Sequence, residues 1–283
     1  MYERKTSLGS RKFCMLSARI NTALTNLKIV VMKILYRVYQ LFIALPILLI
    51  ATALAAITTS VGCMLFSAHF WGYWPGRIWS KIFCNVLLLP VKVEGREHLQ
   101  PGQSYVFVAN HQGPMDIFLI YGYLHRNFKW MMKKSLRKIP LVGYACEKAG
   151  FIFVDKSGPK AIQHTIDSAR RTLKNGTSLV VFPEGSRTFT GHMGLFRKGA
   201  FQLADDIGLP VVPMTIDGSF DVLTRMAGFN FVNRHPMRLV IHKPIVPTES
   251  GSLGVKATMD EAYRVIMEAL PEHHQGYVKN TDQ

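Results

Sequence analysis

The sequence predicts an α/β fold, a mixed sheet flanked by helices, behind an N-terminal membrane-embedded helical segment. Three observations carry this. Positions 38–76 contain no Asp, Glu, Lys or Arg, and roughly 20 apolar residues suffice to span a bilayer as a helix. Beyond Pro90 the texture changes to short runs rich in Val, Ile and Phe that alternate with longer mixed segments, the pattern of strands and helices in turn. Two polar clusters also follow directly on apolar runs, where α/β sheets form their ligand crevices.

The boundaries follow in order. Residues 1–37 form a basic N-terminal region, in which Arg4, Lys5, Arg11, Lys12, Arg19, Lys28, Lys33 and Arg37 face a single acid, Glu3. Placed before a greasy stretch, such a cluster reads as a juxtamembrane anchor. Residues 38–90 form a membrane-anchoring helical segment with its densest apolar core at 41–66. The next stretch, 69–91, carries Arg77 and Lys81 beside Trp71, Trp74 and Trp79, a mixture suited to the headgroup layer. Two arrangements follow: 41–66 spans once and puts the chain's ends on opposite sides, or a hairpin turned with the help of Pro46 and Gly62 keeps both on one face; basic residues on both flanks favour the hairpin by the positive-inside tendency.

Residues 91–250 form the catalytic domain, with strands expected at 91–93, 105–109, 128–132, 151–154, 178–182, 211–216 and 238–241. Helices are expected at 116–124, 159–174, 198–207 and 259–270. The 159–174 helix is the best marked, with Pro159 in its first turn, Ile162, Ile166, Ala169 and Leu173 on one stripe, and Gly176 past its end. Residues 251–283 are a C-terminal helix and a polar tail, loose from Glu272 onward.

Composition narrows the function. The 34 Lys and Arg outnumber 18 Asp and Glu, so the surface attracts nucleic acid, anionic membrane or phosphorylated substrates. Nucleic acid binding is disfavoured, because only Tyr2, Phe13 and Tyr36 accompany the basic cluster and exposed aromatics should interleave there. A non-catalytic protein that binds anionic lipid is the alternative of a different class. Cys14, Cys63, Cys84 and Cys146 lie far apart, without CxxC pairs or nearby His at ligand spacing, so neither a disulfide framework nor a zinc site is expected.

Asn110, His111, Gln112, Gly113, Pro114, Met115 and Asp116 follow the 105–109 strand. Five steps along a regular helix would turn His111 and Asp116 about 140° apart, but a loop through Gly113 and Pro114 can bring them together. An Asp on one imidazole nitrogen fixes the tautomer and leaves the other free to take a proton from a hydroxyl. The second cluster, Phe182, Pro183, Glu184, Gly185, Ser186 and Arg187, follows the 178–182 strand. Arg187 offers a planar fork to a phosphate, Gly185 permits close backbone approach, Ser186 supplies a hydroxyl, and Glu184 either bonds a substrate hydroxyl or orients Arg187. Read singly, each is an ordinary polar turn or cap.

Together the two blocks resemble those of the glycerolipid acyltransferase family. Gly150 to Lys156 is similar to the family's second block and Leu209 to Pro213 to its fourth. Phe196 to Ala200 matches a recurring stretch, and Lys133 to Leu136 the link between the first two blocks. The resemblance covers about 91–245. Lys156 stands where Arg is usual and Ser186 where Thr is common, so the headgroup is less firmly indicated than the reaction.

The resemblance implies O-acyl transfer from an acyl thioester, on coenzyme A or acyl carrier protein, to a lysophospholipid, first of all 1-acylglycerol 3-phosphate, with another lysophospholipid or glycerol 3-phosphate as the alternative acceptor. His111 would be the general base, with Asp116 stabilising its imidazolium. Lys156, Glu184, Gly185, Arg187, Ser186, Asn110, Gly113 and Lys133 would form the substrate pocket. Backbone amides near Gly113 or the Lys133 ammonium are candidates for the oxyanion. No metal and no cofactor beyond the thioester co-substrate is called for. Membrane phospholipids are the expected surroundings, with the catalytic domain on the cytoplasmic face of a bacterial inner membrane or an equivalent intracellular membrane.

Overall fold

The computed structural model describes residues 3–154, 158–225, 230–246 and 252–277. It divides into two compact units, Met1–Ile47 and Leu48–Gln283. In chain order the helices and strands are α1 (Glu3–Tyr39), α2 (Leu45–Leu65), α3 (Ala68–Trp71), α4 (Trp74–Val86), β1 (Val91–Glu94), β2 (Val106–Ala109), α5 (Met115–Tyr123), β3 (Phe128–Lys133), α6 (Val142–Lys148), β4 (Ile152–Val154), α7 (Pro159–Thr172), β5 (Ser178–Val181), α8 (Gly199–Ile207), β6 (Val211–Asp217), α9 (Ser219–Val222), β7 (Met237–Ile241) and α10 (Ser252–Ala269). The structure therefore has each strand the sequence predicts, with ends displaced by a residue or so.

A wide π turn, Gln40–Ala44, separates α1 from α2, and helical structure continues past Pro46. A proline ring would otherwise strike the carbonyl four residues back, and the wider turn takes up that register. Asn21–Leu65 is long and apolar enough to cross a membrane. Phe42, Leu49, Ile50 and Leu65 are among its exposed side chains, an apolar surface that associates the chain with lipid.

The expected hairpin is corrected in its corner. Neither Pro46 nor Gly62 turns the chain, since both lie inside α2. The reversal comes after Leu65, where a Cβ on Gly62 would come 2.3 Å from the Trp71 ring. Gly62 is thus needed for close approach of Trp71, not for a bend. Farther back, Trp79 of α4 donates to Thr52 Oγ1 of α2 at 2.9 Å, so α4 returns along α2.

The corner is held by donors from the domain. Asn127 Nδ2 donates to His69 O at 2.7 Å, Tyr121 Oη to Gly72 O at 3.0 Å and Lys129 Nζ to Ala68 O at 3.2 Å. Burial pushes the Lys129 ammonium down to about 8, because a charged amine loses its hydration there.

The sheet has seven strands in the order β1-β7-β6-β2-β5-β3-β4. Neighbours run parallel except β6 and β7. All four residues of β2 and of β5 are buried, as strands covered on both faces must be. On one face Val106, Leu179, Phe201, Val211, Ala262 and Ile266 share a core, so α10 is part of the sheet's packing. It begins earlier than the expected 259 because Val255 already reaches this core.

Candidate active site

The central position of β2 builds the site. It lies between β5 and β6, parallel to both, so the loops after β2 and β5 leave the same end of adjacent strands. Residues 73 positions apart, His111 and Glu184, thereby become direct neighbours.

The first loop begins with a side chain acting as backbone. Asn110 Nδ2 donates to Ile216 O at 2.8 Å and Asn110 Oδ1 accepts from Ile216 N at 2.7 Å. The buried amide thus extends the β2–β6 pairing and is not turned toward a substrate, which corrects its expected role. His111 is fixed on its main chain from both sides: its N–H donates to Glu184 Oε1 at 2.7 Å and its carbonyl accepts from Thr188 N at 2.9 Å.

The His111 ring is then oriented. Asp116 opens α5 and is completely buried. Its Oδ2 accepts from His111 Nδ1 at 2.7 Å and from Gly113 N at 3.0 Å. With the proton held on Nδ1 against a carboxylate, the lone pair sits on Nε2. The Gly113 amide is occupied and cannot serve an oxyanion, correcting that expectation. Gly113 has a packing reason instead: a Cβ there would meet Ser219 O and Leu223 O at 3.1 Å.

Under the imidazole lies Phe182, parallel within 9° at a centroid separation of 3.9 Å. Trp130 of β3 stacks beneath Phe182 at 5.6 Å, and Tyr121 of α5 lies 6.2 Å beyond Trp130. The rings restrict His111 on one face while its side chain stays 15% exposed on the other.

The second loop is a tight turn closed by Gly185 N donating to Phe182 O at 3.0 Å. Pro183 suits its first central position, and Gly185 has φ of 77° with the Arg197 guanidinium 3.1 Å from where a Cβ would sit. Glu184 performs neither of its expected tasks. It is 1% exposed, and its second oxygen accepts from Gly194 N at 2.8 Å, so it ties together the loops at 111, 184 and 194. Burial pushes its carboxyl up to about 8, against the pull of the two amides.

Arg187 is half-buried, and its carbonyl accepts from Arg225 Nη1 at 2.8 Å. No carboxylate among the described residues pairs with its guanidinium. Ser186 is half-buried beside it, and Lys133 is exposed at the end of β3. Lys156 lies outside the described residues. The arrangement therefore brings together a base with a free nitrogen and a cationic loop one strand away. Sequence reasoning missed Thr188, Gly194 and Arg197, and gave Trp130 and Phe182 no role. An aromatic directly at a strand end was the one available signal.

A sequence model of the acyltransferase family matches residues 90–217. The chain is 29% identical over 195 residues to the chloroplastic 1-acyl-sn-glycerol-3-phosphate acyltransferase BAT2 of Brassica napus, covering 68% of this chain and 55% of that protein. It is 31% identical over 193 residues to the 1-acyl-sn-glycerol-3-phosphate acyltransferase of Saccharomyces cerevisiae, covering 67% of this chain and 63% of that one. The chain thus spans less than two thirds of the length of these curated relatives. The crystal structure of the 1-acyl-sn-glycerophosphate acyltransferase PlsC from Thermotoga maritima superposes with a TM-score of 0.65 at 26% identity, covering 83% of this chain and 95% of that one.

Proposed function

We propose that this chain, whose residues 90–217 match the acyltransferase family model, transfers a fatty acyl group from an acyl thioester to the free hydroxyl of a lysophospholipid, most readily 1-acylglycerol 3-phosphate. The observation that carries the proposal is His111 held by Asp116 with Nε2 open, one strand from an Arg187 guanidinium that no carboxylate among the described residues pairs. The activities of the relatives support the same acceptor.

In this reading Nε2 of His111 takes the hydroxyl proton as the oxygen attacks the thioester carbonyl. Asp116 then faces an imidazolium. Its remaining oxygen is buried without a partner, so its charge is directed at that cation. The tetrahedral intermediate collapses with cleavage of the C–S bond, and the departing sulfur receives the proton from Nε2. Arg187 and Lys156 clamp the acceptor phosphate, with Ser186 alongside, which holds the hydroxyl near the carbonyl. With the Gly113 amide occupied, the other backbone amides near Gly113 and the Lys133 ammonium are the candidates for the oxyanion. Acyl-CoA and acyl-ACP are both suitable donors, and this reading puts the site on the cytoplasmic side, where they occur.

The test uses the full chain in detergent–phospholipid micelles, a labelled acyl thioester and a panel of lyso-acceptors. His111→Ala should reduce transfer at least a thousandfold with the fold intact. A folded variant that retains turnover, or a wild type that acylates no acceptor, rejects the reading.

A further inference from the structure

Behind the loop that carries His111 is a second group of ligand-type side chains. The polar tail expected from Glu272 instead forms a tight turn, Glu272–His274, whose last residue is buried at 3% exposure. His274 packs closely enough that a Cβ on Gly191 would come 2.6 Å from its ring, and it lies edge-on to Phe220. Its Nδ1 is 3.4 Å from Gln112 Nε2, and Gln112 Oε1 in turn accepts from Phe220 N at 3.4 Å.

One ligand atom from each of His273, His274 and Asp221 lies within 4.8 Å of the others. The Asp217 carboxylate is 3.9 Å from His274 Nδ1. Among the described residues neither the His273 ring nor the Asp221 carboxylate has a hydrogen-bond partner. Two imidazoles and a carboxylate form a donor set of zinc type, less suited to magnesium, which prefers oxygen and water. Bonds of about 2.0–2.2 Å place tetrahedral ligands roughly 3.3 Å apart. Closing the present spread calls for rotation of the His273 and Asp221 side chains, which are exposed and half-buried.

We propose that His273, His274 and Asp221 bind a zinc-class divalent cation, which fastens the C-terminal turn to α9 behind the loop of His111. The site is separate from acyl transfer, and the ion takes no part in the proton movement at His111. Gln112, the neighbour of His111, joins the two places, so the ion would stiffen that loop from behind.

The experiment is zinc chloride titration of the untagged full chain in detergent, stripped beforehand with chelator and followed by calorimetry. Visible spectra of the cobalt-loaded protein accompany it. Wild type should take up one ion per chain, ignore magnesium at the same concentration, and show cobalt bands of a nitrogen and oxygen site. Asp221→Asn and His273→Ala, both away from the buried core, should each weaken uptake at least tenfold and lose those bands while keeping wild-type circular dichroism. Equal affinity in wild type and both variants, or no saturable uptake by wild type, overturns the proposal.

Discussion

Two corners of the molecule are held by polar side chains that bond to backbone, and they do so with opposite polarity. At the membrane-side corner, residues 66–73, donors from Asn127, Tyr121 and Lys129 meet carbonyls. At the catalytic end, acceptors on Asn110, Asp116 and Glu184 meet the amides of residues 216, 113, 111 and 194. The second satisfies backbone groups that burial would otherwise leave unpaired, whereas the first pins a corner whose Ala68 and His69 are exposed and whose Ala68 carbonyl also accepts from Gly72 N. Only the second leaves functional groups over: when its carboxylates take up the amides, His111 Nε2 and the Arg187 guanidinium remain unclaimed. Here the base is rigid and the anion-binding side is open, an order that suits a fixed proton acceptor and an entering lipid.

The largest break in this comparison is Glu184→Ala. It leaves two buried amides without an acceptor, at about 1–3 kcal/mol each, and frees both the His111 and Gly194 segments. We expect acyl transfer to fall at least a hundredfold and the melting temperature to drop. Lost activity with unchanged stability would mean that Glu184 meets substrate directly. The pH dependence adds a signed check. A carboxyl raised from its ordinary value to about 8 by burial is neutral in both states at low pH. Between about 4.5 and 8 it ionises more readily in the unfolded chain, so its contribution to stability falls as pH rises through that window. Glu184→Gln removes this slope, so wild type should lose stability relative to the variant as pH rises from about 4.5 toward 8 in thermal melts of the two proteins.

At the other corner Lys129→Met should act on stability with little effect on turnover per folded molecule. Its ammonium is held down to about 8 by burial. Wild-type stability is therefore full above the ordinary lysine value near 10.5 and is lost as pH falls from there to about 8. Methionine fills similar space without a charge, so the variant should show no such slope and be at least as stable at neutral pH. A collapse of kcat in a well-folded Lys129→Met protein would join the two corners functionally and end the distinction.

The difference also explains what was legible beforehand. Strand residues and both loops could be read along the chain because alternation and local turn chemistry are short-range. That β2 would lie between β5 and β6 is a matter of strand order, which no local pattern records. The uses of Asn110 and Glu184 depend on that order: their partners Ile216 and His111 are 106 and 73 positions away. Polar residues in a loop were therefore read as facing substrate when two of them face backbone. The corner was misplaced for a related reason, since Pro46 and Gly62 are common signs of a break and here one is taken up by a π turn and the other accommodates Trp71.

The smallest effect tests the rings between the two corners. Tyr121, Trp130, Phe182 and His111 form a continuous stack from α5 to the base, yet only its last contact touches a reacting group. Phe182→Leu keeps most of the apolar volume and removes the flat surface under the imidazole. Such an aromatic contact contributes about 0.5–1.5 kcal/mol, and a factor of ten in rate corresponds to about 1.4 kcal/mol. If that contribution serves to hold Nε2 in line, kcat should fall roughly three- to tenfold, with KM for both substrates unchanged and the Asp116 bond still in place. A change in KM alone would instead make Phe182 part of the substrate pocket, and no change at all would leave Asp116 as the sole orienting group for His111.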